Sequence, residues 1–204
     1  MKLINNLIDE GTIKTPAIIS AFKAVSRQDF LPPESKHLAN QNRPIPIGHG
    51  VTNSQPYTVA FMLELLQPQA GQKILDIGSG SAWQTVLLAH IVGDKGSVYA
   101  IERIPEIKRF GEQNAKLYNF KNISFYCQDG SHGLPNQAPF DRIVVAAAAA
   151  GDYQAIKQQL KVGGRLVIPT AAQDIRLIIR ESKHNYREQI FPGFVFVPLI
   201  SDYS

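Results

Sequence analysis

An α/β fold built on a mostly parallel, doubly wound sheet is predicted by three observations. Short apolar runs alternate with amphipathic segments from Lys73 to Thr170. A glycine-rich turn, "GSGS" at 78–81, joins the first run to a helical segment. Acids stand at or just past the ends of the first three runs: Asp76, Glu102 and Asp129. Strands alternating with helices need crossover connections, and these make a parallel sheet.

The elements follow in order. "INNLIDEGTI" and "TPAIISAFKAVS" carry apolar residues three and four apart, the spacing of one helix face. Thr15 before Pro16 is a helix start. "FLPPESKHLANQNRPIP" is proline-rich and polar, and reads as a linker or extended arm. The loop "IGHGVTNSQP" leads into a helix over about 56–66. "KILDIG" is a strand, "AWQTVLLAHIVG" a helix, "GSVYAIE" a strand, "PEIKRFGEQNAKLYN" a helix and "ISFYCQD" a strand. "FDRIVVAAA" is a strand, "YQAIKQQLKVGG" a helix and "RLVIPT" a strand. "IRLIIRES" and "FVFVPLI" have no long helix between them, so an antiparallel pair closes the sheet edge.

Composition narrows the class. The chain has 204 residues, 44% hydrophobic and 19% charged, which suits one domain with a full core. A single cysteine, Cys127, excludes an internal disulfide and favours a reducing compartment. It falls in a strand run and is expected to be buried and inert. No apolar run nears the roughly 20 residues of a membrane span, and the start has no secretory pattern. The net charge of +4 is scattered over both halves, with no basic stripe for nucleic acid. The expectation is a cytoplasmic monomer with neither membrane nor nucleic acid as partner. The five histidines and one cysteine show no metal-ligand spacing.

The glycine turn and the acids describe a ligand. In doubly wound sheets the ligand lies beyond the carboxyl ends of the strands. Gly78 and Gly80 permit a tight turn and close approach, with Ser79 between them. Glu102, 24 residues after Gly78, suits both hydroxyls of a ribose. Asp129 suits the exocyclic amine of an adenine, with Gly130 leaving room for the ring. No G-x-x-x-x-G-K-[ST] loop is present, and Trp83 stands where G-x-G-x-x-G needs glycine. The pattern favours an adenosine without a pyrophosphate.

These residues resemble a known family. "LDIGSGSAWQT", "VYAIER", "CQDG" and "APFDRIVV" resemble the S-adenosylmethionine-dependent methyltransferases. "IPIGHGVTNSQPYTVAFMLELL" resembles, more narrowly, the protein-L-isoaspartate O-methyltransferase family, and the similarity runs from about Ile18 to Leu199. The resemblance implies a Rossmann-like, seven-stranded sheet with its last two strands exchanged relative to other such methyltransferases. It implies S-adenosyl-L-methionine as cofactor, S-adenosyl-L-homocysteine as product, and repair of L-isoaspartyl residues in damaged proteins or peptides by carboxyl methylation. It assigns Ser54 as the catalytic residue. It places the cofactor at Val51, Thr52, Asn53, Asp76, Gly78, Ser79, Gly80, Glu102, Asp129 and Gly130. The chain departs from the family pattern at Asn40, Asn42, Asn53, Ala82, Trp83 and Ile200, and the Asn40, Asn42 and Asn53 changes fall where a peptide acceptor is expected. A methyltransferase with another acceptor, or a silent cofactor-binding relative, are the alternatives.

The expected organisation is a single domain: residues 1–55 as helical segment and active-site loop, 56–170 as cofactor core, 171–204 as C-terminal strands. The chemistry needs no general base, because a carboxylate with pKa ~4 is already ionised at neutral pH. A short hydroxyl such as Ser54 can hold one carboxylate oxygen while the other attacks, with loop N–H groups holding the rest. His49 and His132 are therefore expected to stand outside the chemistry.

Overall fold

The computed structural model describes residues 2–201. Two helices open the chain, α1 (Lys2–Asp9) and α2 (Pro16–Ala24), the second with proline in its first turn. Short 3-10 helices over Arg27–Phe30 and Pro33–Leu38 occupy much of the expected linker. The loop "IGHGVTNSQP" is mostly a hairpin: β1 (Ile45–Gly48) pairs antiparallel with β2 (Val51–Asn53). Its turn puts His49 at φ 52° and Gly50 at φ 73°. Helix α3 (Pro56–Leu66) follows, and the cofactor core begins.

The core runs β3 (Lys73–Ile77), α4 (Trp83–Val92), β4 (Ser97–Glu102), α5 (Pro105–Lys116), β5 (Ile123–Cys127), β6 (Phe140–Val145), α6 (Gln154–Lys157) and β7 (Leu160–Thr170). Two further strands, β8 (Asp174–Arg180) and β9 (Tyr186–Pro192), complete a seven-stranded sheet of order β5-β4-β3-β6-β7-β8-β9. The first five are parallel, and β8 and β9 add antiparallel. The expected architecture holds, with its antiparallel pair at the edge.

Apolar residues bury on both faces of this sheet. One cluster joins Leu7, Ile18 and Phe22 of the N-terminal helices to Leu63, Val86, Val167 and Ile175. The second gathers Leu75, Phe140, Ile143, Ile156 and Leu166 on the other side.

Three expectations are corrected. The seventh strand is Tyr186–Pro192, not "FVFVPLI". Residues 194–200 instead run extended to the end of β6, where Ala148 donates to the Val197 carbonyl and accepts from Leu199 N–H. The helix expected over 153–164 is cut to Gln154–Lys157, because "KVGG" enters β7 as an irregularity. Gly163 there has φ 80°, and Gly164 lies so close to the Lys161 carbonyl that a Cβ would stand 2.8 Å from it. Cys127 is exposed rather than buried, since it ends β5, an edge strand with no fully buried residue.

Candidate active site

The site begins at the first strand. Asp76 lies within β3 and is completely buried. It accepts from Thr85 Oγ1 at 2.6 Å and Gln84 Nε2 at 3.0 Å, so it ties β3 to the first turn of α4. Burial pushes its pKa up to about 6, against the two hydrogen bonds, and the nearby Glu102 charge adds to the rise. It does not line the cavity. Between strand and helix, Gly78 and Gly80 take φ 80° and 53°. Ala82 precedes the helix at φ 70°, a left-handed conformation that glycine adopts more readily.

Glu102, the last residue of β4, is buried and braced by main-chain donors. Gly80 N–H donates to Oε2 at 3.1 Å and Ile104 N–H to Oε1 at 3.0 Å. Each oxygen keeps a further lone pair. Ser79 Oγ is buried and has no partner among the described residues. Gly130 is forced by packing: a Cβ there would stand 2.4 Å from Ile77 Cγ2. Asp129 is turned to Ser131, accepting from its N–H at 2.8 Å and its hydroxyl at 2.9 Å. Gly78, Ser79, Gly80, Glu102 and Gly130 line one cavity of about 620 Å³, and Asp129 stands beside it.

The hairpin forms the opposite wall. Val51, Thr52, Asn53 and Ser54 line the same cavity. The Asn53 side chain is 3% exposed and braces the wall from behind. It accepts from Arg27 Nε at 2.7 Å and donates to Ser81 Oγ at 2.9 Å. The Asn53 departure therefore joins hairpin to glycine turn. Asn42 is exposed and holds the start of α3, accepting from Tyr57 N–H at 3.0 Å. Ser54 is half-buried, and its hydroxyl makes no hydrogen bond among the described residues. It does not cap α3, whose cap position is Gln55. The Ser54 and Gln55 N–H groups also have no acceptor among the described residues. His49 is exposed at the rim. Among the described residues no cluster of His, Cys, Asp and Glu could hold a metal ion.

The third wall is one that sequence reasoning misses. Val195 to Ile200 line the cavity, and Val195 is 78% exposed. Phe194 anchors this segment by stacking on Phe61 at 4.9 Å between ring centroids, and on Tyr57 at 6.4 Å.

The sequence profile of the protein-L-isoaspartate(D-aspartate) O-methyltransferases matches residues 1–204. The chain belongs to that family. Among similar relatives, the protein-L-isoaspartate O-methyltransferase of Ignicoccus hospitalis is 40% identical over 205 residues, covering 98% of this chain and 97% of its own. That of Methanothrix thermoacetophila is 39% identical over 187 residues, covering 92% and 89%. A solved Plasmodium falciparum structure, described as a protein-L-isoaspartate O-methyltransferase in complex with S-adenosyl-L-homocysteine, superimposes with TM-score 0.86 at 23% identity. It covers 98% of this chain and 97% of its own. The family reaction is transfer of a methyl group from S-adenosyl-L-methionine to the carboxylate of L-isoaspartyl residues, the repair step that the resemblance implies. The residues present fit that cofactor: a braced carboxylate, an unpartnered buried hydroxyl and two glycines face one cavity of suitable size.

Proposed function

We propose that Ser54 is the residue through which this methyltransferase holds its acceptor carboxylate. The uncommitted Ser54 hydroxyl on the cavity wall carries the reading: it is fixed through its own carbonyl, which accepts from Arg27 Nη2 at 3.0 Å. The hydroxyl donates to one carboxylate oxygen and leaves the other free to attack. The Ser54 and Gln55 N–H groups supply two further donors. When bound, S-adenosyl-L-methionine supplies a methyl group already made electrophilic by its sulfonium. The acceptor is ionised at neutral pH, so the chain's task is to place it and exclude water. Glu102 holds the ribose hydroxyls, Ser79 and the Gly78–Gly80 turn the amino acid portion, and Gly130 the adenine edge, with Val51, Thr52 and Asn53 as the facing wall. Asp76 acts from beneath by fixing the turn, and Asp129 by shaping the Gly130 corner.

The acceptor on this reading is an L-isoaspartyl residue of a damaged protein or peptide. Support comes from Asn42 and Asn53, whose side chains are committed to α3, Arg27 and Ser81 rather than to the acceptor face. We also take the chain to act as a cytoplasmic monomer, with neither membrane nor nucleic acid as partner. Size-exclusion chromatography with light scattering checks the monomer, and a dimer would overturn it.

The deciding assay uses an isoaspartyl peptide beside its aspartyl twin with radiolabelled cofactor. Label is expected in the first alone; label in neither, with S-adenosyl-L-homocysteine still binding, points to another acceptor. Ser54→Ala is expected to lower kcat about 10- to 100-fold, the scale of losing a charge-assisted hydrogen bond made at the reacting group. Its affinity for S-adenosyl-L-homocysteine stays within about threefold of the parent. Unchanged turnover would remove Ser54 from the role.

A further inference from the structure

Arg27 is a buried cation that sequence reasoning passes over. It sits in a 3-10 turn after α2 and is 6% exposed. Its guanidinium makes six hydrogen bonds, all to uncharged acceptors. Nε donates to Asn53 Oδ1; Nη1 donates to the Ala39 and Gln41 carbonyls; Nη2 donates to the Arg43, Asn53 and Ser54 carbonyls. A guanidinium has five N–H groups, so every donor is engaged. None is left to reach into the cavity. Among the described residues the charged group acting on it is Arg43, also a cation. Among the described residues no carboxylate pairs with it. A buried charge usually has a counter-ion. Here neutral carbonyls and the face of the Trp83 ring, 5.5 Å from Cζ, solvate it, and no anion neutralises its charge among the described residues.

The geometry tells where that charge acts. The Asn53 and Ser54 carbonyls point at Arg27. A trans peptide sets N–H opposite C=O, so the Ser54 and Gln55 N–H groups point away from Arg27. These are the two N–H groups without acceptors, on residues that line the cavity. The carbonyl dipoles thus pass positive potential from the guanidinium toward the loop's other face.

We propose that Arg27 is a positioning residue of the acceptor site: it locks the Asn53–Gln55 loop and lends a positive charge, one residue removed, that selects an anionic acceptor. The inference rests on the reading that Ser54 meets the acceptor carboxylate. The arrangement has a chemical logic. A cation in direct contact with the carboxylate would hold both oxygens and lower their nucleophilicity. A cation behind the loop attracts the anion without hydrogen bonding to the attacking oxygen.

Asn53→Asp tests this with the least change of shape. The new carboxylate keeps the bond from Arg27 Nε, and the Ser81 hydroxyl can turn to donate to its second oxygen. Hydrogen bonds persist while the Arg27 charge is neutralised. The acceptor KM is expected to rise about tenfold, the scale of one partly screened charge pair, with kcat falling less than KM rises. The control ligand is the same peptide with its isoaspartyl carboxylate replaced by an amide. As a competitive inhibitor it should bind parent and Asn53→Asp equally well. Equal weakening of the anionic peptide and the neutral analogue would mean lost shape rather than lost charge, and would overturn the proposal. So would an unchanged KM. Arg27→Gln, assayed with the same pair of ligands, serves if Asn53→Asp does not fold, and the same selective loss is expected. Ser54→Ala is run alongside. An impaired Ser54→Ala with an unaffected Asn53→Asp removes the Arg27 role alone; an intact Ser54→Ala removes the acceptor reading and this inference with it.

Discussion

Asp76 shows how a residue can look like a ligand and serve as a foundation. A carboxylate at the end of an apolar run, just before a glycine turn, suggests ligand contact. The structure commits both its oxygens to Thr85 and Gln84 and leaves it wholly buried. Its pKa of about 6 gives a pH signature. The unfolded chain binds the proton with pKa near 3.9. Between about pH 4 and 6 the folded state therefore holds more protons than the unfolded one, and stability falls as pH rises. The stability present below pH 4 is lost by the time pH passes 6, a difference of roughly 3 kcal/mol. Carbon-13 NMR of the Asp76 carboxyl should titrate near pH 6. Asp76→Asn, which cannot ionise, should flatten the fall in thermal midpoint across that window. A parent whose Asp76 titrates near pH 4 would refute the assignment.

At the scale of elements, the clearest case is the segment Phe194–Ile200. Its alternating apolar residues read as a strand, yet it lies over the end of β6 as a cavity wall. The true edge strand, β9, was illegible because both its faces are largely exposed, so "YREQIFP" carries no alternation. The parallel strands were legible, since burial on both faces demands continuous apolar runs. The same split holds in the site. Glu102 and the glycine turn announce themselves by position along the chain. Arg27 does not, since an arginine bonded to carbonyls leaves no mark on sequence spacing. Phe194 is the point where this wall can be tested. The segment beyond it has two main-chain bonds to Ala148, and Phe194 fixes it by stacking on Phe61 and Tyr57. Phe194→Ala is expected to cost about 1–2 kcal/mol, lowering the thermal midpoint by a few degrees. Amide exchange over 195–200 should accelerate more than exchange in β3 or β6, and acceptor KM should rise. Uniform exchange across the chain would show that the wall has no separate anchor.

At the scale of the whole molecule, the site is assembled from distant parts of the chain. Arg27 and Ser54 come from the first third, the glycine turn and Glu102 from the middle, and Val195–Ile200 from the end. We take all three segments as one cooperative unit, and the packing gives the reason. The larger apolar cluster contains Leu7, Ile18 and Phe22 from the first segment, Leu63 and Val86 from the second, and Ile175 and Leu177 from the third. Thr15 and Glu64 add polar ties: the Thr15 N–H and hydroxyl donate to the Glu64 carboxylate, each at 2.8 Å. Loosening the N-terminal helices would expose the face of α4 on which Phe22 meets Trp83 edge to face. The other clusters are shared too: Ile178 of β8 joins the second, and Ile107 of α5 packs with Leu31, Ala39, Ile45 and Ile47 of the first segment. Calorimetry should therefore show a single transition, with its measured enthalpy equal to the van't Hoff enthalpy. S-adenosyl-L-homocysteine binds the folded state, so it should move that transition upward as one peak, by about RT ln(1 + [L]/Kd) in free energy. An early, ligand-insensitive transition would show that the N-terminal helices melt on their own. That result would separate the Arg27 support from the cofactor core and refute a single folding unit.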